Sequence, residues 1–543
     1  VAHDNPQAVA DEANPGPQCG RGGADCDVLV IGGGINGAGI ARDAAGRGLC
    51  VALCEQDDLG AHPLSASTKL IHGGLRYLEY LDFALVRKAL AEREVLMRAA
   101  PHLTWPLRFA MPHGPGLGAA PLVRAGLFLF DRLARRQLLP GSHGVRLSCH
   151  PAGRALQPRF SRAFVYSDGW VDDARLVVLN ALDAAEKGAC VLTRTRCVAA
   201  RRDGDLWRVT LRRADGSEKQ VTARALVNAA GPWTAQVLGL ALGQAQAGRL
   251  RLVKGCHIVV PRRFEHDHAY LFQHSDGRVI FAIPYERDFT LLGTTDLDYA
   301  GDPAAAAVDA GEIAYLCDAA STYFRQPVRP DEVVWSYAGV RPLLDEPARD
   351  ARAVTRDSRL ALDEAGAPLL SVFGGKLTTH RKLAEEATDA LCRKLGRATP
   401  PWTARACLPG GDLFGAQPQN RSVLEFDAWS SSMQVHYAFL DPALVRRYAR
   451  AYGTRIHTLL RGRTALADMG EQILPGLYEA EVAYLRQHEW ARTAEDILWR
   501  RSKLGLHLGL EAGGCCRPGW MRTQASEGPG SVPAAVLAYR PAP

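Results

Sequence analysis

The stretch from Asp27 to Glu55 constrains the fold more than any other part of the chain. Val28-Leu29-Val30-Ile31 is short, apolar and β-branched, as in a strand buried on both faces. It runs into Gly32-Gly33-Gly34-Ile35-Asn36-Gly37, then into a segment with small residues at Ala38, Ala41, Ala44 and Ala45 that reads as a helix stopped by Gly46 and Gly48. A second apolar strand, Cys50 to Cys54, ends at Glu55. Strand, turn, helix, strand and acid within about thirty residues give the G-x-G-x-x-G pattern the context of a dinucleotide-binding unit. Gly32 permits the tight turn, Gly34 lets backbone approach a pyrophosphate, and Gly37 allows close packing of the helix, whose first N–H groups then face the anion. Glu55 stands where a carboxylate accepts both ribose hydroxyls and disfavours a 2′-phosphate. NAD and FAD both remain open on this motif.

At 543 residues the chain has room for three or four structural units. Apolar residues make up 47% and charged residues 23%, enough to bury a core and too apolar for global disorder. The net charge of +7 comes from a mild excess without a Lys/Arg block, so no nucleic-acid partner is expected; acidic ligands or an anionic membrane face suit it better. The 13 cysteines form no C-x-x-C pair and no metal-like cluster, which predicts reduced, mostly buried thiols, a cytoplasmic location and no metal site. No run of residues is apolar for long enough to span a bilayer, so membrane contact is expected to be peripheral.

Residues 1–25 read as a flexible leader. Asp82 to Ala100 predicts an exposed helix, followed by a Pro-broken region to about Pro158. Short strands follow at Cys190 to Thr195, Trp207 to Leu211 and Ala225 to Ala230. β-rich runs from about residue 250 to 345, such as His257 to Val260, Val279 to Ile283 and Phe289 to Leu292, predict an antiparallel sheet. A strand from Leu369 to Phe373 enters a helix that reaches about Leu395. Beyond Pro400 the pattern is helical, with Val482, Leu485, Ala494, Ile497 and Leu498 suiting one helical face, and residues 508–543 read as a flexible tail.

Ser65 to Tyr77 gathers hydroxyls, His72, two glycines and Arg76, enough to run along a cofactor and deliver a histidine and a cation to its reactive end. Gly339-Val340-Arg341-Pro342, Thr355-Arg356-Asp357 and Gly374-Gly375-Lys376-Leu377-Thr378-Thr379 each set one cation beside a turn or helix start. Three such cations in otherwise apolar settings point to an anion site.

These segments carry a resemblance. The glycine unit, STKLIHGGLRY (Ser67 to Tyr77), YSDGWVDDAR (Tyr166 to Arg175), NAAGPW (Asn228 to Trp233), KGCHIVV (Lys254 to Val260), GTTD (Gly293 to Asp296), Gly339 to Pro342 and FGGKLTTHRK (Phe373 to Lys382) occur in matching order. Together with Glu481 to Leu506 they resemble the FAD-dependent, aerobic, quinone-linked glycerol-3-phosphate dehydrogenase family in its bacterial form. Cys256 stands where that family commonly has serine, and His62-Pro63-Leu64 replaces a hydroxyl-rich stretch.

The resemblance implies an α/β (α+β overall) flavoprotein with a glutathione-reductase-like FAD-binding Rossmann domain, an antiparallel-sheet substrate domain and a C-terminal helical domain. On that division the cofactor domain takes about 26–80, 160–235 and 346–395, the substrate domain about 81–159 and 236–345, and the helical domain 396–507. It implies oxidation of sn-glycerol 3-phosphate to dihydroxyacetone phosphate by hydride transfer from C2 to flavin N5, with electrons passed to a membrane quinone. A homodimer is compatible with it. The implied place is the cytoplasm, peripherally on the inner membrane. Carried over residue by residue, Arg76, Tyr77, Arg341, Arg356 and Lys376 fall on substrate-pocket motifs and His72 on the histidine near the flavin. Gly32, Gly34, Gly37, Glu55, Ser67, Gly231, Gly375 and Thr378 fall on FAD-contacting motifs.

Physical chemistry gives these residues roles. Several cations suit a phosphate monoester in a dry pocket, neutral His72 suits removal of the hydroxyl proton, and Arg341 or Lys376 suits stabilisation of developing negative charge. An oxidase using oxygen, or a flavin-binding protein without turnover, is the alternative. Leu122 to Leu139, with Leu127-Phe128-Leu129-Phe130 among four arginines, suits equally a helix lying in an anionic interface and an amphipathic helix packed on the protein's own core.

Overall fold

The computed structural model describes residues 23–63, 65–114, 120–243, 250–274, 276–344 and 358–511; the leader to residue 22, Arg356 and the tail from 512 lie outside the described residues. Cys26–Ile31 is buried at every position and pairs in parallel with Val51–Cys54 on one side and Glu218–Asn228 on the other. Leu369–Phe373 and Cys190–Leu192 extend the same sheet in parallel, and Arg359–Asp363 closes one edge. Strands buried on both faces need cover: the helix Ile35–Gly46, packed with Asp173–Glu186 and His380–Lys394, covers one face, and Trp207, Val209, Leu211 and Val237 pack on the other. The alanines of the helix allow the close approach: Ala38, Ala41, Ala44 and Ala45 all lie in the core.

Thr195–Asp203 and Leu206–Arg213 complete eight strands in the first sheet, and a second sheet has ten. Its spine runs Leu250–Pro261, Phe289–Gly293, Val279–Tyr285, Ala269–Gln273, Thr104–His113, Arg162–Val171, with Trp335–Leu344 paired along Leu250–Pro261. All these pairings are antiparallel except that of Ala269–Gln273 with Thr104–His113. The Pro-broken region of the sequence therefore contains a ten-residue strand. Pro106 and Pro112 are tolerated there because the pairing with Ala269–Gln273 involves only Phe109 and Ala110. The sheet also takes in Leu70–Ile71, so it touches the cofactor segment of the sequence directly.

The helix Phe83–Ala99, capped by Asp82 accepting from the Leu85 N–H at 3.2 Å, is not the exposed helix its charges suggest. Glu92, Arg93 and Glu94 are buried with the apolar positions, because Glu92 pairs with Arg381 and Arg93 with Asp168. The C-terminal helices build a separate core around Val445, Tyr448, Tyr452, Ile456 and Leu485. Glu479–Glu489 ends at Trp490, whose φ of 56° is left-handed, so Val482 and Leu485 share a core with Ile497 and Leu498 but not a helix. Buried ion pairs tie this unit to the cofactor domain: Arg175 to Glu489, Arg500 and Arg501 to Asp58 at 2.6 Å, and Arg194 to Asp496 at 2.7 Å. Six described cysteines are buried free thiols.

Candidate functional site

A cavity of about 400 Å³ is lined by residues of both sheets. At one end stand Gly32, Gly34, Ile35 and Asn36, so the N-terminus of the helix Ile35–Gly46 opens onto it. Gly32 adopts φ +108°, and a Cβ there would lie 2.5 Å from the Ala229 carbonyl oxygen. A Cβ on Gly37 would lie 1.8 Å from the Gly32 carbonyl oxygen, so this glycine closes the turn on itself. A Cβ on Gly34 would meet no atom within 4 Å, and the same holds at Gly231, so at both cavity-lining positions the backbone faces open space. Two glycines serve packing and two leave room, which is the arrangement a pyrophosphate cradle requires.

Glu55 lies at the cavity wall with Oε2 accepting from the Gly33 N–H at 2.6 Å and Oε1 from the Asp57 N–H at 2.9 Å. Burial raises its pKa above the ordinary carboxylate value, opposed by those two hydrogen bonds. Ser67 also lines the cavity, but its hydroxyl donates to Asp173 at 2.6 Å, and Asp173 in turn holds the buried Lys69 ammonium at 2.8 Å. Gly375, at φ +110°, passes so close to Asn36 that a Cβ would come within 2.8 Å of its amide nitrogen, and that amide donates to the Gly374 carbonyl at 3.1 Å.

The other end of the cavity collects the polar groups. His72 lines it, with its backbone N–H donating to the Thr378 hydroxyl at 3.1 Å. The next residue, Gly73, donates its N–H to Asp168 at 2.9 Å, and Asp168 is held by Arg93. The histidine loop is thus clamped from two sides, and Thr378, expected at the cofactor, bonds to that loop. Lys376 and Tyr77 line the cavity together, the ammonium 3.6 Å from the ring centroid. Arg341 enters from Trp335–Leu344 and donates to Asp296 at 2.7 Å. Leu271, Val279 and Phe281 supply an apolar wall. His72 and Tyr77, Arg341 and Lys376 are therefore brought to one cavity from three separated segments, while Arg356 and the Arg76 side chain lie outside what is described.

Asp296, Thr294, Asn36 and Asp168 also line the cavity and were not singled out by sequence. The acid of Gly-Thr-Thr-Asp was the one legible signal, since a carboxylate beside an expected anion site calls for a cationic partner.

The description "FAD dependent oxidoreductase" matches residues 27–381, and "C-terminal domain of alpha-glycerophosphate oxidase" matches residues 401–514. A glycerol-3-phosphate dehydrogenase of Pseudomonas aeruginosa is 53% identical over 484 residues, covering 89% of this chain and 92% of its own. The chain belongs to the FAD-dependent glycerol-3-phosphate dehydrogenase family. A D-erythritol 1-phosphate dehydrogenase of Brucella abortus is similar too, 48% identical over 485 residues, 89% of this chain and 95% of its own. The glycerol-3-phosphate dehydrogenase of Bacillus halodurans, solved in complex with FAD, superposes with a TM-score of 0.71 at 29% identity, covering 90% of this chain and 89% of that one. The fold class is the one the family predicts, and FAD is the cofactor of this family. The glycine cradle and Glu55 fit its ADP half.

Proposed function

We propose that the chain oxidises sn-glycerol 3-phosphate to dihydroxyacetone phosphate and passes the electrons to a membrane quinone. The observation that carries this reading is the convergence of His72, Arg341 and the Lys376–Tyr77 pair on the cavity that begins at the glycine turn. Gly32, Gly34, Gly37, Glu55, Gly231 and Gly375 hold FAD, with Ser67 and Thr378 acting through the loops they tie down. Bound FAD supplies the two-electron acceptor for the hydride leaving C2. His72 removes the proton of the C2 hydroxyl. Arg341 and Lys376 offset the negative charge that develops there, and the apolar wall of Leu271, Val279 and Phe281 keeps their field from being screened by water. Arg76 and Arg356 hold the phosphate dianion.

A polyol phosphate of four carbons is a second reading, favoured by the 48% identity with a D-erythritol 1-phosphate dehydrogenase. Anaerobic mixing of the FAD-loaded protein with either compound tests both. Bleaching of the flavin by glycerol 3-phosphate at the lower concentration supports the first, and preference for D-erythritol 1-phosphate replaces it with the second. Adding a short-chain quinone or air to the bleached enzyme then separates dehydrogenase from oxidase: fast return of colour with quinone and slow return with air is expected. An enzyme bleached by neither compound would leave only a flavin-binding protein.

Membrane attachment is proposed through the helix Ala120–Arg132, which packs beside the turn Leu75–Tyr80. Among the described residues no helix is long and apolar enough to cross a membrane.

A further inference from the structure

Electrostatic stabilisation of a transition state needs its cation held in place before the reaction, and an arginine side chain has many rotamers. Arg341 is held by a carboxylate. Its Nη1 donates to Asp296 Oδ1 at 2.7 Å and its Nη2 reaches the Thr294 hydroxyl at 3.5 Å. Both partners sit on the turn that leaves Phe289–Gly293, and Gly255 on the adjoining strand makes the room, since a Cβ there would come within 2.8 Å of Nη2.

That turn is pinned from behind. The Cys256 N–H donates to the Thr295 hydroxyl at 3.0 Å, and the Thr295 hydroxyl donates to Glu312 Oε1 at 3.4 Å. Glu312 also accepts from Lys254 Nζ at 2.8 Å and from the Cys256 thiol at 3.0 Å. The same residue closes the capping box of Ala310–Ser321 by accepting from the Asp309 N–H at 3.1 Å. A strand, a helix start and the turn therefore meet at one buried carboxylate, and the turn cannot shift without breaking the hydrogen bonds of Thr295 to Cys256 and Glu312.

A carboxylate in an anion site opposes binding, because it repels the phosphate and weakens the field of its arginine. Orientation is the gain that offsets this. We infer that Asp296 is a positioning residue, which directs Arg341 at the reacting carbon and is itself located by the Thr295–Glu312–Lys254 knot. The inference rests on the reading that Arg341 acts on the transition state.

The test uses the FAD-loaded enzyme with glycerol 3-phosphate and a water-soluble acceptor. Asp296→Asn should lower kcat about tenfold to a hundredfold, with KM unchanged or lower because an acid has left the site, and with FAD content intact. Asp296→Glu, which keeps the charge, should recover most of that loss. Wild-type kcat in Asp296→Asn overturns the inference, as does a raised KM at intact kcat or a loss of rate that tracks a loss of FAD. Should Asp296→Asn not fold, Thr294→Val decides by the same split: lower kcat at unchanged KM supports the inference and wild-type behaviour overturns it. Failure of the functional reading looks different, since the wild-type flavin would then stay oxidised with glycerol 3-phosphate, and this inference would fall with it.

Discussion

The Lys376 ammonium stands 3.6 Å from the centroid of the Tyr77 ring, so a cation from the Gly-Gly-Lys turn is seated on an aromatic face from the His-Gly-Gly-Leu-Arg-Tyr segment. A partly desolvated contact of this kind is worth about 1 to 2 kcal/mol and fixes the charge in direction as well as in place. Tyr77→Phe should keep the ring face and most of the activity. Tyr77→Leu should lower kcat/KM about fivefold to thirtyfold with FAD still bound. Equal rates in the two variants would mean that the ring does not hold the lysine.

Arg341→Ala and Lys376→Met should each cripple turnover while the protein stays yellow. Loss of one member of a desolvated charge arrangement costs about 3 to 5 kcal/mol, or roughly two to four decades in kcat/KM. His72→Asn should lower kcat more than it raises KM if the ring takes the proton. A loss confined to KM would make His72 a binding residue.

Asp58 follows Glu55 closely in the chain and is gripped at 2.6 Å by both Arg500 and Arg501, so the C-terminal unit buttresses the loop that carries Glu55 at the cavity wall. Asp58→Asn leaves two buried guanidinium groups without that carboxylate and should cost about 3 to 5 kcal/mol of stability in denaturant unfolding. In a double-mutant cycle, Arg501→Met should cost less on the Asp58→Asn background than in the wild type. Additive losses would show that the two residues do not act as a pair.

His102 and His380 are fully buried, and burial pushes each pKa down to about 3. Both stay neutral in the folded protein while the unfolded chain takes up a proton near pH 6.5. Their contribution to stability is therefore complete above about pH 6.5 and is lost as pH falls from there towards 3, at about 1.4 kcal/mol per pH unit for each ring. Unfolding free energies measured from pH 7 to 5 should fall less steeply in His102→Gln than in the wild type, by about that slope. Parallel curves would mean that His102 is protonated in the native state.

The parallel half of the fold was legible because strands buried on both faces leave unbroken apolar runs, and Leu369–Phe373 has the limits read from sequence. Thr104–His113 was hidden by its prolines, and Phe83–Ala99 looked exposed because the partners of Glu92 and Arg93 come from distant segments. The site shows the same division. Glycines whose roles are local could be read off the turn. The pairings of Arg341 with Asp296, Lys376 with Tyr77 and His72 with Thr378 join residues far apart in the chain, and no local pattern encodes them.

The helix Ala120–Arg132 separates two groups that the sequence runs together. Phe130 is buried, its ring edge-on to Tyr166 and close against Gly73, so it belongs to the core behind the histidine loop. Leu122, Phe128 and Leu129 are exposed, at 73%, 51% and 39%, and Arg132 lies 4.2 Å above the Phe128 ring. Tyr80, Leu81 and Phe83 are exposed on or just after the neighbouring turn, and Tyr80 also lines the cavity. Apolar side chains edged by Arg124, Arg132 and Arg135 suit an anionic interface, each arginine adding about 1 kcal/mol that salt weakens. A triple change of Leu122, Phe128 and Leu129 to Ser should release the protein from anionic vesicles and lower its rate with vesicle-borne quinone, while leaving turnover with a water-soluble acceptor intact. Phe130→Ser should instead lower the melting temperature without weakening vesicle binding of the folded fraction. Full vesicle binding by the triple variant would place the membrane contact on another face of the molecule.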